Sequence, residues 1–225
     1  MNPTITDPAV TLTDYGLAIE CVILLALLAR PQASDETLRL WFVLFFAAAA
    51  AASLFGGTVH GFLKDSDSRG RETLWALTLL AILLSGLAVW FVAARLELRP
   101  RAETWARIAA IALVSIVSAT AIFATRNFAI AIVGYLPSTV FLLFAFVSAY
   151  KRRKERTIGW GIAGLSLTLL AAAVQRLRVT IHPVYLDHNA LYHVIQGIGF
   201  WMIYKAARYL STVWPPIRRS YAVTP

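Results

Sequence analysis

Cysteine and charge are both scarce in this chain. A single cysteine, Cys21, stands among 225 residues and lies inside an apolar run, so no disulfide framework holds the fold together. Asp, Glu, Lys and Arg make up only 15% of the residues, against about 25% in a soluble domain. Lys and Arg are also missing from the first 15 residues, which predicts that the chain has no cleavable signal peptide.

Long apolar runs take the place of the missing charges. Hydrophobic residues make up 59% of the chain, and the mean hydropathy is +0.66. The runs are about twenty residues long, the length that crosses a bilayer as an α helix, and the alternation of a membrane β barrel is absent. We therefore predict an all-α integral membrane bundle of seven spans in one domain, residues 1–225. The predicted spans are roughly 15–30, 38–63, 72–96, 104–124, 127–150, 157–177 and 188–210.

Basic residues outnumber acidic ones, 21 against 12, and the net charge is +9. They lie in short clusters between the apolar runs, such as "KRRKER" at 151–156, which is typical of topology-setting charges and not of nucleic-acid binding. Six fall on the side of the N-terminus and fifteen on the other side. Because cytoplasmic loops carry the excess of positive charge, the N-terminus is predicted outside and the C-terminus in the cytoplasm. Seventeen Arg against four Lys indicate a GC-rich bacterial genome, and hence a bacterial inner membrane.

The ionisable residues of the predicted spans gather on the N-terminal side of the membrane. All four histidines fall there, at positions 60, 182, 188 and 193. Glu20, His60 and His193 lie inside spans at similar depth. An ionisable side chain at such a place costs a few kcal/mol or more unless it is paired or faces a cavity. One shared polar pocket accounts for all three residues, so we predict a pocket at this end of the bundle.

The stretch "DHNALYH", residues 187–193, opens the predicted seventh span. Asn189 and His193 are four residues apart and share a helix face, with an offset of about 40°. His188 and His193 are five residues apart, an offset of about 140°, so both face one pocket only if the helix begins after His188. We interpret Asp187 as the N-cap that accepts a free backbone N–H of this helix.

Three motifs together resemble a known superfamily. They are "GGTVHGFL" at the end of the second span, an acidic residue that opens the third, and "HNALYHVIQGIGF" at the start of the seventh. This pattern is similar to the seven-span superfamily of alkaline ceramidases and adiponectin/progestin-type receptors. In that superfamily a histidine near the end of span two and an H-x-x-x-H pair in span seven bind zinc. A serine four residues before the first histidine and an aspartate opening span three complete the site, and the metal activates a water that hydrolyses the amide bond of ceramides.

The resemblance assigns roles to four residues of this chain. It implies that His60 and His193 bind zinc. It also implies that Glu72, twelve residues after His60, takes the place of the family's aspartate. Glu20 resembles an acidic residue of the family's first span. Either glutamate is a candidate for the general base, or for a group that orients a metal ligand through its ring N–H.

Two positions depart from the superfamily pattern. Asn189 stands where the first histidine of the pair is expected, and asparagine is a poor zinc ligand beside imidazole. Gly56 stands where the serine is expected, although Ser53 lies seven residues before His60 on nearly the same face. A catalytic zinc takes about three protein ligands and keeps one open position. The candidates for the third ligand are His188, Glu72, Asn189 and His182.

Three functions fit this pattern. The first is a zinc-dependent hydrolase of a membrane lipid amide or ester, with Ser53 a further catalytic candidate. The second is a non-enzymatic receptor or lipid-binding protein of the same fold, which the departures at Asn189 and Gly56 favour. The third is a transporter that uses Glu20 and the histidines as a proton relay, for which helices interrupted by Gly or Pro are expected. A membrane lipid is the expected substrate or ligand in the first two.

Overall fold

The computed structural model describes residues 5–30, 35–64 and 66–213. Within these ranges, seven α helices follow one another, and a short π-helical turn extends the second. The helices are α1 (Pro8–Ala29), α2 (Glu36–Thr58), α3 (Arg69–Glu97), α4 (Pro100–Phe123), α5 (Ala129–Arg153), α6 (Arg156–Arg176) and α7 (His188–Val213), and the π turn is Val59–Leu63. The predicted all-α fold is confirmed, and α2 to α7 begin and end within a few residues of the predicted spans.

Helices α1 to α6 are each long and apolar enough to cross a membrane. The chain is therefore a multi-pass membrane protein. α7 is 26 residues long and packs along α6 and α1, but its sequence is more polar than that of the other helices. Helices α1, α3, α5 and α7 begin at the same end of the bundle, where all four histidines lie, and we call it the histidine end.

The first helix begins at Pro8, seven residues before the predicted start of the first span. Proline is well suited to the first helical turn. A backbone N–H at that position has no partner within the helix, so proline loses no hydrogen bond by lacking one, and its φ is already helical. The polar residues Thr11, Thr13 and Asp14 delay the rise in hydropathy, which is why the span was predicted to start late. They belong to the first two helical turns, and Thr11 and Asp14 are buried against the bundle.

Aromatic side chains fill the middle of the bundle and the half opposite the histidine end. Phe42, Phe45 and Phe46 of α2 are almost fully buried. Phe45 and Phe200 of α7 meet edge to face with their ring centroids 5.2 Å apart, a favourable geometry for an aromatic pair. This packing ends before the histidine end, where the cavity described below begins.

An ionic network ties three helices together at the opposite end. The Asp35 carboxylate accepts the Leu38 backbone N–H at 3.0 Å and so caps α2. Its other oxygen lies 3.2 Å from the Arg95 guanidinium of α3, and Arg95 also contacts Glu103 of α4 at 3.4 Å. Because Asp35 and Glu103 are buried, removing one partner would leave an uncompensated charge.

Helices α6 and α7 approach closely at a pair of glycines. A Cβ at Gly164 would lie 2.5 Å from the Gly199 carbonyl oxygen, and a Cβ at Gly199 would lie 2.8 Å from the Gly164 oxygen. Small residues allow such contacts in lipid, where dispersion and weak polar contacts hold helices together. The obstructing oxygen atoms belong to the backbone, so the rotation of a side chain cannot relieve these contacts.

We expect Gly164→Ala to separate α6 from α7 and to destabilise the protein by about 1–3 kcal/mol, as overpacking does. The measurement is the apparent melting temperature of the purified protein in detergent. Gly16→Ala is the matched control, because no atom lies within 4 Å of a Cβ at Gly16. Replacing an unobstructed helical glycine by alanine stabilises by about 0.5–1 kcal/mol, so the two variants should shift the melting temperature in opposite directions.

Candidate functional site

A cavity of about 350 Å³ lies among six of the helices at the histidine end. Apolar side chains form most of its wall, and its aspartate and histidines lie on α1, on the π turn that extends α2, and on α7. Ile132 and Leu136 of α5 and Ala172 of α6 line the cavity and are exposed, and we infer that the cavity opens between α5 and α6. Its polar lining includes Asp14, Ser53, His60, Thr78, Ser85, Tyr135, Thr139, Thr168, Gln175, Asn189, Tyr192, His193 and Gln196.

His60 lies on the π-helical turn Val59–Leu63. A π turn holds one residue more than an α-helical turn, and such turns are frequent at functional sites. The backbone of α1 and its preceding residues pack against this turn: the Thr6 N–H donates to the Gly61 carbonyl at 2.9 Å. The His60 ring meets the indole of Trp75 edge to face, with centroids 6.2 Å apart. Trp75 is fixed in turn by donating its indole N–H to the Arg126 carbonyl at 2.8 Å.

His193 is held between two residues of α1. Its Nε2 lies 3.2 Å from the Oδ1 atom of Asp14, and its Nδ1 lies 3.2 Å from the Thr13 hydroxyl. The side chains of His193 and Asp14 are only 11% and 5% exposed. The second carboxylate oxygen of Asp14, Oδ2, is buried without a hydrogen-bond partner. A buried acid and imidazole at the wall of a cavity inside a membrane bundle are a functional-site candidate by default.

The hydrogen-bond roles at His193 depend on which ring nitrogen carries the proton. The Thr13 hydroxyl lies 2.9 and 3.0 Å from the carbonyl oxygens of Ala9 and Val10, and when it donates to them its oxygen accepts an Nδ1–H of His193. In that tautomer a lone pair on Nε2 faces Asp14 Oδ1, and a proton or a metal ion between the two atoms would hold them together. In the other tautomer the Nε2–H donates directly to Oδ1.

The donor atoms of this pair fit zinc. Zinc binds imidazole nitrogen and carboxylate oxygen at about 2.0–2.2 Å in tetrahedral geometry, so two neighbouring donors lie roughly 3.3–3.6 Å apart, close to the 3.2 Å between Nε2 and Oδ1. A metal-binding histidine commonly donates its other ring N–H to a fixed acceptor, and Thr13 is such an acceptor. Within the described ranges, no three His, Cys, Asp or Glu side chains stand close enough together to hold a metal ion as placed. His60 lines the same cavity but is not part of the contact between His193 and Asp14.

Gly57 of α2 makes room for Asp14, because a Cβ at this position would lie only 2.8 Å from the Asp14 Cβ. A Cβ at Gly56 would lie 3.6 Å from the Thr78 methyl group and 3.9 Å from the unpartnered Oδ2 of Asp14, which are ordinary van der Waals distances. The space beside Oδ2 would therefore admit a small side chain at position 56.

Ser53 and Asn189, both candidates from the sequence, also line the cavity. Ser53 is buried on α2. The Asn189 side-chain oxygen accepts the Gln175 amide N–H at 3.2 Å, which joins α7 to α6. The role of Asn189 as a metal ligand stays a prediction. His188 is half-buried as the first residue of α7 and lies outside the cavity wall.

Asp187 caps α7, as predicted. Its Oδ1 accepts the backbone N–H groups of Asn189 and Ala190 at 3.1 and 2.8 Å. The helix thus begins at His188. His182 lies in the exposed loop before this cap, where its Nδ1 accepts the backbone N–H groups of Val184 and Tyr185, each at 3.2 Å. It supports the loop and is remote from the cavity wall.

The two glutamates among the candidates do not line the cavity. The Glu72 side chain is 62% exposed and lies 3.3 Å from the Arg126 guanidinium, so it forms a surface ion pair at the rim of the histidine end. Glu20 lies on another face of α1, in a lipid-facing groove between α1 and α7. Glu72 therefore lies away from the cavity, whereas Glu20 shares its groove with His193.

Asp14 is the site residue that sequence reasoning missed. It was assigned to the segment before the first span, because the hydropathy rises only after it. Pro8 directly after Asp7 is the signal that could have revealed it, since Asp-Pro is a common helix start. A helix that starts at Pro8 carries Asp14 about 9 Å along its axis at 1.5 Å per residue, well inside the bundle.

The fold and the site define a helical, multi-pass membrane protein with a polar cavity at one end of a seven-helix bundle. The chain belongs to a family of unknown function, DUF6962, whose model matches residues 9–212. That range covers all seven helices, apart from the first residue of α1 and the last of α7. No curated protein and no solved structure matches the chain.

We expect Asp14→Asn to stabilise the metal-free protein by about 1 kcal/mol, the contribution of one hydrogen bond. In the tautomer of His193 that has its hydrogen on Nδ1, the asparagine amide can donate to the Nε2 lone pair, which an ionised carboxylate cannot do. Chemical or thermal unfolding in detergent with a chelator present measures the effect. Asp35→Asn is the matched control: this buried aspartate is paired with Arg95, so its change should destabilise. Equal destabilisation by both variants would show that Asp14 has a stabilising partner of its own.

Proposed function

We propose that this chain is a membrane-embedded, zinc-dependent hydrolase that cleaves an amide or ester bond of a membrane lipid. The observation that supports the proposal is the buried pair of His193 and Asp14. The Nε2 atom of His193 lies 3.2 Å from Oδ1 of Asp14, the other carboxylate oxygen of Asp14 is buried without a hydrogen-bond partner, and both residues line the cavity. Both are donor types that zinc prefers.

Asp14 and His193 would hold the metal, with His60 as the third protein ligand from the same cavity wall. When bound, zinc supplies a Lewis acid and generates a hydroxide nucleophile near neutral pH. Thr13 fixes the ring of His193 with Nε2 directed at Asp14, which is the role of an outer-shell partner. The Trp75 indole lies edge to face against the His60 ring.

The cavity wall suits the acyl part of a lipid. Its apolar surface is contributed by α2, α3, α5 and α6, and it borders the bilayer at Ile132 and Leu136. A lipid chain can therefore pass between α5 and α6 without crossing water. Uncharged polar groups of the wall, among them Ser53 and Gln196, could hydrogen-bond a carbonyl or hydroxyl of the head. Ligand sites in proteins commonly pair such an apolar wall with a few convergent polar groups.

We expect the purified protein to bind about one zinc ion and to release a fatty acid from a panel of lipid amides and esters. His193→Ala should remove both properties, because it deletes a ligand. Thr13→Val should weaken zinc binding by about 10–100-fold, the usual effect of losing an outer-shell partner. Metal content by mass spectrometry and product release by chromatography measure the two. The matched control is His182→Ala, an exposed histidine in the α6–α7 loop, which should leave both unchanged.

A protein that binds no zinc, or whose turnover is the same after His193→Ala, contradicts the hydrolase. The second candidate function, a lipid-binding receptor, is favoured by a separate observation: most of the cavity wall is apolar, and the Asn189 amide is engaged by Gln175. In that case a lipid would copurify in the cavity unchanged, and zinc would not alter its retention.

We also propose that α7 crosses the membrane with the other six helices, with the histidine end outside and the C-terminus in the cytoplasm of a bacterial inner membrane. The distribution of basic residues supports this orientation, since "KRRKER" lies at the end opposite the histidines.

Single cysteines test the orientation in a Cys21→Ala background, which removes the chain's own cysteine. Asp67 lies in an exposed loop at the histidine end and Glu155 in an exposed loop at the other end. On intact bacterial cells, a membrane-impermeant maleimide should label Asp67→Cys and spare Glu155→Cys. The reverse pattern would overturn the proposed topology, and lysed cells, in which both should react, are the control.

A further inference from the structure

A second site lies on the outer surface of α6 and α7, at the end of the bundle opposite the histidines. The Lys205 ammonium of α7 lies over two indole rings, 3.8 Å from the ring centroid of Trp201 and 4.6 Å from that of Trp160 on α6. The two indoles meet edge to face with their centroids 6.1 Å apart, and they are 42% and 44% exposed. The face of a tryptophan ring attracts a cation, so the two indoles hold the ammonium at a defined place on the surface.

This ammonium lies near the end of the bundle, and two arginines lie closer still to that end. Trp160 follows the first residue of α6, Arg156, by four positions and is therefore about 6 Å inside the helix. Arg156 shares the helix face of Trp160, one turn nearer the water. Arg208 lies one turn beyond Lys205 in the same direction, because α7 runs opposite to α6. Both arginines are exposed, and we call the three bases and the two indoles the basic patch.

The bases of the basic patch have no acidic partner in the part of the chain that the structure describes. No carboxylate there forms an ion pair with Arg156, Lys205 or Arg208, although Glu155 directly precedes Arg156. Four other bases at this end are each paired with a carboxylate of the chain: Arg39 with Glu36, Arg95 with Asp35, Arg107 with Glu103 and Arg152 with Glu97. The basic patch therefore presents three uncompensated positive charges on adjacent helices.

We propose that the basic patch binds the phosphate of an anionic phospholipid from the membrane around the bundle. The Lys205 ammonium would donate to a phosphate oxygen, and the two arginines would contact the part of the head nearer the water. The acyl chains would run towards the middle of the membrane along Leu167 of α6 and Val194 of α7. Each of these lies seven residues, two helical turns, deeper than the indole on the same face of its helix. The site does not depend on hydrolysis in the cavity.

The chemistry of the basic patch favours an anionic lipid over a zwitterionic one. A phosphatidylcholine head brings a quaternary ammonium that the three bases repel, whereas a phosphatidylglycerol head brings only the negative phosphate. Hydrogen bonds from ammonium and guanidinium groups to phosphate are charge-assisted, and basic clusters beside a membrane attract anionic lipids. The phosphate would also neutralise Lys205 and Arg208, the lysine and arginine that contribute to the polarity of α7.

The test compares dioleoylphosphatidylglycerol with dioleoylphosphatidylcholine, which have the same acyl chains and differ in the head. Binding of each lipid to the full-length protein in detergent is titrated by native mass spectrometry. We expect the phosphatidylglycerol to bind at least about tenfold more tightly, and Lys205→Gln to weaken its binding about fivefold, the effect of one base near a lipid surface. A protein with Arg156→Gln, Lys205→Gln and Arg208→Gln combined should bind the two lipids equally.

Two further variants serve as controls. Arg101→Gln removes an exposed base at the same end from α4, a helix that contacts neither α6 nor α7, and it should leave the preference unchanged. Lys205→Arg keeps the charge and should keep most of the binding, which separates the loss of charge from a failure to fold. Equal binding of the two lipids by the unaltered protein, or equal losses in Lys205→Gln and Arg101→Gln, would overturn the proposal. Displacement of the lipid by equimolar inorganic phosphate would also overturn it, because the site would then bind a free anion.

Discussion

The burial of one carboxylate beside one imidazole is the constraint on which the histidine end depends. Asp14 and His193 face each other inside an apolar bundle, where an unpaired charge is costly. The surrounding chain is arranged for this pair. Thr13 contacts the far side of the imidazole, and Gly57 allows α1 and α2 to approach until the aspartate fits between them. A side chain at Gly57 would exclude the acid from its place.

The bundle divides into a filled half and an open half. Aromatic rings of α2 and α7 occupy the middle and the half away from the histidines, and the network of Asp35, Arg95 and Glu103 joins the helix ends there. This half supplies tight packing and satisfied charges. The histidine end is packed less completely and encloses the cavity, with its unpartnered carboxylate oxygen. The tightly packed half and the polar cavity are thus separated along the bundle axis.

Much of the fold could be predicted from the sequence, because apolar runs of the right length have few alternatives in lipid. The clustering of histidines at one end and the cap at Asp187 followed from spacing alone, and the structure places His60 and His193 on one cavity wall. The sequence did not show which acidic residue lies beside the histidines. Glu72 was separated from the cavity by a surface partner, Arg126, that comes from a distant part of the chain. Asp14 was not recognised because the polar residues around it lower the local hydropathy at the start of α1. The contact between α1 and α7 arises only in the folded bundle.

The π turn at Val59–Leu63 has a consequence for comparing this chain with others. A π turn is equivalent to one residue inserted into an α helix without breaking it. Residues before and after it therefore keep their helical character but change register with respect to each other. A motif defined by a fixed count of residues across this point, such as a serine four positions before a histidine, loses its spatial meaning here. Relatives that have or lack the inserted residue are correctly compared only when aligned separately on its two sides.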